Sequence, residues 1–195
     1  MFPQIYEAAI DWIPERSRVL DLGCGDGGFL DLLTKMKRVT GEGVEKDSEM
    51  LARCIERGLV VHQGDVLDGL DQHDSNSFDY VLLMGTLQEL VTPGRVIEEA
   101  FRVGRYVIIG YINFAYWKIR FQLMFGGRTP ITEALPHRWY QSPNLHVCSI
   151  YDFRDFCKDM NIIEVKSAFY GPSGRIIFQP NLFAEESVAL LEKKG

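Results

Sequence analysis

Asp21 and the glycines at 23, 25, 27 and 28 lie close together in the segment Val19-Leu20-Asp21-Leu22-Gly23-Cys24-Gly25-Asp26-Gly27-Gly28. An apolar run that breaks into glycines and resumes as Phe29-Leu30-Asp31-Leu32-Leu33 predicts a buried strand, a tight turn and a helix. Glycine has no Cβ, so backbone N–H groups there can approach a ligand closely, and the positive end of the following helix points at the same place. This is the chemistry of a nucleotide-type cofactor site. The spacing Gly23-x-Gly25-x-x-Gly28 satisfies the dinucleotide fingerprint, which leaves NAD open. Asp21 favours another ligand: a carboxylate at the strand end repels a pyrophosphate but suits the cationic aminocarboxypropyl end of S-adenosylmethionine (SAM).

Other candidates follow at strand ends. Glu45 ends the predicted strand Thr40-Gly41-Glu42-Gly43-Val44-Glu45, where a carboxylate can accept from both ribose hydroxyls of either nucleoside. Lys46 adjoins it and belongs to the same rim. Asp65 ends the strand Leu59 to Asp65 and is placed to accept from an adenine amino group, with Val66 or Leu67 against the ring. The plain alternatives are a solvated strand-end residue for Glu45 and a turn residue for Asp65. Gly85-Thr86-Leu87-Gln88 forms a crevice rim after the fourth strand. Cys24 reads as a small residue packed beside the ligand rather than as a nucleophile. Glu89, Asn113, His137, Tyr140 and His146 are within plausible reach of the site, but none stands in a pattern that marks a general acid or base. No catalytic residue is assigned.

The elements that must position these residues alternate. Ser48 is the expected cap of the helix Glu49 to Arg57, which ends at Gly58. Phe78 to Met84 and Tyr106 to Ile112 read as strands buried on both faces, separated by a helix from Gly94 to Val103 with Pro93 in its first turn. Five strands alternating with helices predict an α/β, doubly wound, Rossmann-like sheet that is mostly parallel, with helices on both faces. Asn161 to Ala168 and Arg175 to Phe178, around Gly171-Pro172-Ser173-Gly174, are expected to close it as a hairpin. Ala184 to Lys194 is expected to be a final amphipathic helix.

Length and composition set the bounds. The 195 residues, 46% of them hydrophobic, suit a single domain spanning 1–195. An insertion at 113–149, rich in aromatics, Gly and Pro, is either a specificity element or a helical lid. A net charge of -6 argues against nucleic acid as the main partner. The four cysteines form no Cys-x-x-Cys pair and no regular spacing with the four histidines, so neither a metal site nor a disulfide framework is expected. With no export signal at the amino terminus and no apolar run long enough to cross a bilayer, a cytoplasmic protein without membrane contact is expected.

At these residues the chain resembles class I SAM-dependent methyltransferases, and over nearly its full length it resembles the methionine-biosynthesis MetW family. The second resemblance is carried by Val19 to Gly27, Gly126-Gly127-Arg128 with Pro130, and Ala134-Leu135-Pro136. It continues through Trp139-Tyr140-x-Ser142-Pro143-Asn144-Leu145-His146-x-Cys148-Ser149-Ile150-x-Asp152-Phe153 and Pro180-Asn181-Leu182-Phe183-Ala184-Glu185. It implies a SAM-binding sheet with an antiparallel last strand, and action with a homoserine O-acyltransferase (homoserine O-acetyltransferase) in methionine synthesis. It places Asp21, Gly23, Gly25 and Gly27 at the aminocarboxypropyl end of SAM or S-adenosylhomocysteine (SAH), Glu45 on ribose and Asp65 near adenine. Gly85 and Thr86 line the exit from the fourth strand. The chain departs from the family pattern at Ile112-Asn113-Phe114-Ala115-Tyr116-Trp117, where members tend to show Pro-Asn-Phe-Gly-His-Trp, and at Met84-Gly85-Thr86-Leu87-Gln88, which keeps only the Thr-Leu-Gln part of the rim. It also lacks the Asn/Asp-Pro-Pro-aromatic motif of amide and amine methyltransferases. Two functional classes therefore stand: an enabling or SAM-responsive partner of the acyltransferase, and a SAM-dependent methyltransferase of a small-molecule acceptor. An NAD-dependent oxidoreductase is a minor third.

Overall fold

The computed structural model describes residues 4–143 and 146–194. Met1–Pro3, Asn144–Leu145 and Gly195 lie outside the described residues, and with them the Asn144-Leu145 step of the resemblance. Eight strands form one sheet in the order β3-β2-β1-β4-β5-β8-β6-β7. The strands are β1 (Arg18–Leu22), β2 (Thr40–Glu45), β3 (Val60–Gln63), β4 (Phe78–Met84), β5 (Gly104–Ile112), β6 (Ile162–Gly171), β7 (Gly174–Arg175) and β8 (Glu186–Lys193). The first five in sequence pair in parallel, whereas β8 runs antiparallel to both β5 and β6. Strand order reverses between β1 and β4, and open α/β sheets bind ligands outside the carboxyl ends of their strands at such a switch point.

Alternation along the central strands builds two cores. Leu20, Val81, Leu83, Val107, Ile109 and Leu191 meet α4 (Val66–Asp71), α5 (Pro93–Val103) and α7 (Ile150–Asp159) on one face. Val19, Tyr80, Leu82, Ile108, Val188 and Leu190 meet α1 (Gln4–Trp12) and α2 (Gly28–Lys37) on the other. Successive strand residues point to opposite faces, so a continuous apolar run such as Tyr80 to Leu83 feeds both cores at once. The remaining helices are α3 (Ser48–Glu56), α6 (Trp117–Phe121) and α8 (Pro180–Phe183).

Three expectations need correction. The final amphipathic helix is the strand β8, preceded by the short α8. Ser187, Val188, Ala189, Leu190 and Leu191 are all buried, and consecutive burial is what a strand with cores on both faces provides and a one-sided helix does not. The backbone groups of β5 also need a partner on that edge, and pairing along Tyr106 to Ile112 overrides the helix propensity of Ala-Leu-Leu-Glu-Lys. The hairpin forms, but β7 covers only two residues, and β8 rather than the hairpin closes the sheet against β5. Finally, Asp47 rather than Ser48 caps α3, its carboxylate accepting from the amides of Glu49 and Met50 at 2.8 and 3.0 Å.

The segment 113–149 leaves the carboxyl end of β5 through α6 and a π-helical turn, Gln122–Gly126. Tyr116, Ile119 and Leu135 form its small buried apolar cluster, packed with Ile112 and Phe114. Most of its other aromatics face outward.

Candidate functional site

The glycine turn is held by backbone bonds to the neighbouring strand. Gly23 and Cys24 donate to the Val44 carbonyl at 2.8 and 3.1 Å, Gly27 to Cys24 at 3.0 Å, and Gly28 to the Asp26 carboxylate at 3.0 Å. Gly25 donates to Glu45 Oε2 at 2.8 Å, and the other Glu45 oxygen accepts from Asp47 at 2.9 Å. These amides are therefore engaged within the protein. Anionic pyrophosphate depends on such donors, so a turn with its amides engaged and carboxylates beside it suits a cation better.

Gly23 has φ +75° and a Cβ there would lie 2.7 Å from Thr86 Oγ1, so β1 and the rim after β4 approach as closely as only glycine permits. Thr86 is fixed in turn by donating to the Leu22 carbonyl at 3.0 Å. Gly25, at φ +56°, has open space where a Cβ would be.

A cleft of about 630 Å³ opens over this turn. Of the sequence-derived candidates, Gly23, Gly25, Glu45, Lys46, Asp65, Val66 and Gly85 line it. Asp21, Cys24 and Gly27 stand behind the lining. Asp21 is only 3% exposed, and burial, reinforced by the Glu45 charge, pushes its carboxyl up to about 7. Cys24 faces Cys54 with 3.9 Å between sulfurs, and burial before all other causes pushes its thiol well above the ordinary range, which makes it inert packing. Gly27 starts α2 in the left-handed region, and a Cβ there would meet Leu59 and Cys54. Asp65 also caps α4, accepting from Leu67 at 3.2 Å.

Beyond Val66 and Leu67, the spacing of sequence motifs does not mark the apolar lining. Met50, Leu90 and Val96 line the same cleft from α3, the rim and α5. No sequence motif marks Tyr6 either: on α1, its ring packs on Phe29 at 4.3 Å, and burial together with Asp21, Glu186 and Asp26 pushes its phenol up to about 12. The amphipathic spacing of Ile5, Ala8 and Ala9 was the available signal, because a helix buried through those positions carries Tyr6 with it.

A second chamber of about 520 Å³ shares Gly85 and Glu89 with the cleft and is walled by the insertion through Phe114, Leu135, His137 and Trp139, with Glu186 from β8. Burial raises the Glu89 carboxyl, Lys46 opposes it and Glu45 adds to it. The other loosely placed candidates separate. His137 and Glu89 line this chamber, whereas Tyr140 faces a shallower depression with Arg128 and Arg138. His146 lies beside Gln88 and Cys148, outside both the cleft and the chamber. Asn113 is fully buried and donates to the carbonyls of Pro180, Asn181 and Ala184, so it is a structural clamp rather than a site residue.

This architecture recurs in solved structures. A SAM-dependent methyltransferase from Thermotoga maritima, described as a possible histamine N-methyltransferase, superposes with a TM-score of 0.70 at 21% identity, covering 97% of this chain and 88% of that one. Magnesium protoporphyrin IX methyltransferase from Synechocystis PCC 6803, with bound SAH, gives 0.70 at 13% identity, covering 98% and 83%. The chain therefore has the Rossmann-like SAM-methyltransferase fold. The sequence comparison is more specific: the family model described as methionine biosynthesis protein MetW matches residues 4–191, and the chain belongs to that family. A bifunctional methionine biosynthesis protein MetXA/MetW from Rhodopirellula baltica is 32% identical over 202 residues, which cover 97% of this chain. This chain spans 32% of that relative's length. Among the described residues, no helix is long and apolar enough to cross a membrane.

Proposed function

We propose that this chain is a SAM-binding partner of homoserine O-acyltransferase that activates it or tunes it to SAM supply in the cytoplasm. The observation that carries this reading is the Rhodopirellula baltica relative, whose name joins a MetXA part to a MetW part in one chain. We read the MetXA part as the acyltransferase, and we infer that this chain meets the same kind of partner. Trp117, Phe121, Met124, Phe125, Trp139 and Tyr140 are exposed on the insertion, an apolar surface of the kind that marks protein interfaces. Gln122 holds Ile131 through both its amide atoms and so keeps the two halves of that surface together. In the cleft, Glu45 takes the ribose hydroxyls, Asp65 the adenine amino group with Val66 against the ring, and Asp21 with the glycine turn the cationic end of SAM. Lys46 and Gly85 complete the rim.

The deciding experiment is the rate of homoserine acylation by the acyltransferase of the same organism, with and without this chain, across a SAM titration. A SAM-dependent change establishes a regulatory subunit, and a SAM-independent one a structural activator. An unchanged rate, with the acyltransferase shown to be active, rejects both.

A methyltransferase acting on a small molecule is the second reading, favoured by the chamber that meets the cleft at Gly85 and Glu89. Holding an acceptor there against the SAM methyl would supply much of the rate by proximity. Release of SAH on incubation with cell metabolites supports it; tight SAM binding without turnover counts against it.

A further inference from the structure

Folding brings together three residues whose sequence positions show no ligand spacing. Glu42 on β2 and His62 on β3 share a face of the sheet, because Glu42 pairs with Val60 and Val44 with His62 in the parallel register. Glu42 Oε2 lies 3.3 Å from His62 Nε2. His73, just beyond α4, sets its ring edge-on to His62 with centroids 5.6 Å apart. One ligating atom from each of the three lies within 4.8 Å of the others.

Two further features bear on this cluster. His73 Nε2 is buried and has no hydrogen-bond partner, and a buried polar atom left so calls for a ligand or another explanation. The backbone around His73 is also anchored: its amide donates to Leu70 at 3.2 Å and its carbonyl accepts from Arg102 at 2.8 Å. Phe78 supports the ring edge-on at 4.9 Å.

We propose that Glu42, His62 and His73 bind a divalent transition-metal ion of the zinc type, with a solvent molecule completing a four-coordinate shell. Zinc takes imidazole nitrogens and carboxylate oxygens at about 2.0–2.2 Å, so ligand atoms of one tetrahedron stand roughly 3.3 Å apart, as Glu42 and His62 already do. Two imidazoles in the set disfavour calcium and magnesium, which take oxygen ligands. The ion would clamp β2, β3 and α4, whose ends supply Glu45, Asp65 and Val66 to the cleft. The proposal does not rest on SAM binding.

The test is a titration of tag-free, chelator-treated full chain with Zn²⁺, read by competition with a chromophoric chelator, and with Co²⁺, read by its visible ligand-field bands. The expected result is one ion per chain, four-coordinate cobalt bands without thiolate charge transfer, and a Tm raised by zinc. His62→Ala, His73→Ala and Glu42→Gln should each weaken binding by about tenfold or more, whereas His137→Ala with His146→Ala leaves it unchanged. His62 and Glu42 are half-exposed, so their variants keep the test open if His73→Ala fails to fold. Wild-type binding no tighter than that of His62→Ala and Glu42→Gln, or loss that follows His137 and His146 instead, overturns the site.

Discussion

The Glu45 carboxylate accepts a hydrogen bond from the Gly25 amide at 2.8 Å, tying the end of β2 to the glycine turn that follows β1. Its second oxygen holds the Asp47 amide, the residue that caps α3. One side chain thus sets the turn, the helix start and one wall of the cleft. Glu45→Ala leaves two amides without their charged acceptor, an expected loss of about 2–3 kcal/mol, or roughly 4–12 °C in Tm. Glu45→Gln keeps one acceptor oxygen and should unfold closer to wild type. If Glu45 holds the ribose as proposed, both variants should weaken SAM binding by about 10–100-fold, read by calorimetry.

Asp21 is expected to make stability and the binding of a cationic ligand depend oppositely on pH. Its carboxyl is raised from 3.8 to about 7, so between those values the folded chain holds a proton that the unfolded chain has released. The contribution is fully present below about pH 4 and is lost as pH rises through about 7, on the order of 4 kcal/mol at most. Asp21→Asn should remove this slope from denaturant titrations. A cationic ligand prefers the ionised form, so SAM affinity should rise roughly tenfold from pH 6 to pH 8 in wild type and stay flat in Asp21→Asn. Equal pH profiles for the two proteins would remove Asp21 from this role.

The two glycines of the turn separate folding from binding. In Gly23→Ala the methyl meets Thr86, which is itself bonded to Leu22, so a large loss of thermal stability is expected. In Gly25→Ala the methyl enters open space at the cleft wall, and the left-handed backbone costs about 1–2 kcal/mol. SAM binding should therefore fall more than stability does in Gly25→Ala. The comparison needs only melting curves and calorimetry.

Trp117 and Trp139 are 44% and 72% exposed, so Trp117→Ala with Trp139→Ala should leave the melting temperature nearly unchanged. If the insertion is the docking surface, affinity for the acyltransferase should drop about 30-fold or more, as for central aromatic anchors. Unchanged affinity by light scattering or calorimetry places the interface elsewhere.

Much of the site was legible because its residues sit where short-range rules apply. Asp21 near the end of β1, Gly23 and Gly25 just past it, Glu45 at the end of β2 and Asp65 two residues past β3 all fall at the carboxyl edge of any parallel sheet. The apolar lining beyond Val66 and Leu67 was not legible, since Met50, Leu90 and Val96 look in sequence like ordinary core residues of their elements. Nor was the engagement of the turn amides, which depends on the distance between β1 and β2.

By itself the sequence determined the alternating elements, the parallel half of the sheet and the acidic strand ends, because hydrophobic period, turn chemistry and side-chain charge are local properties. The tertiary structure alone decided that Val188 to Leu191 form a strand, since two unpaired sheet edges required one and both cores accepted its apolar residues. It also decided that Asn113 clamps carbonyls around α8 rather than facing a ligand, and that Glu42, His62 and His73 converge. Such convergence follows from register and packing between distant segments, which no spacing along the chain encodes.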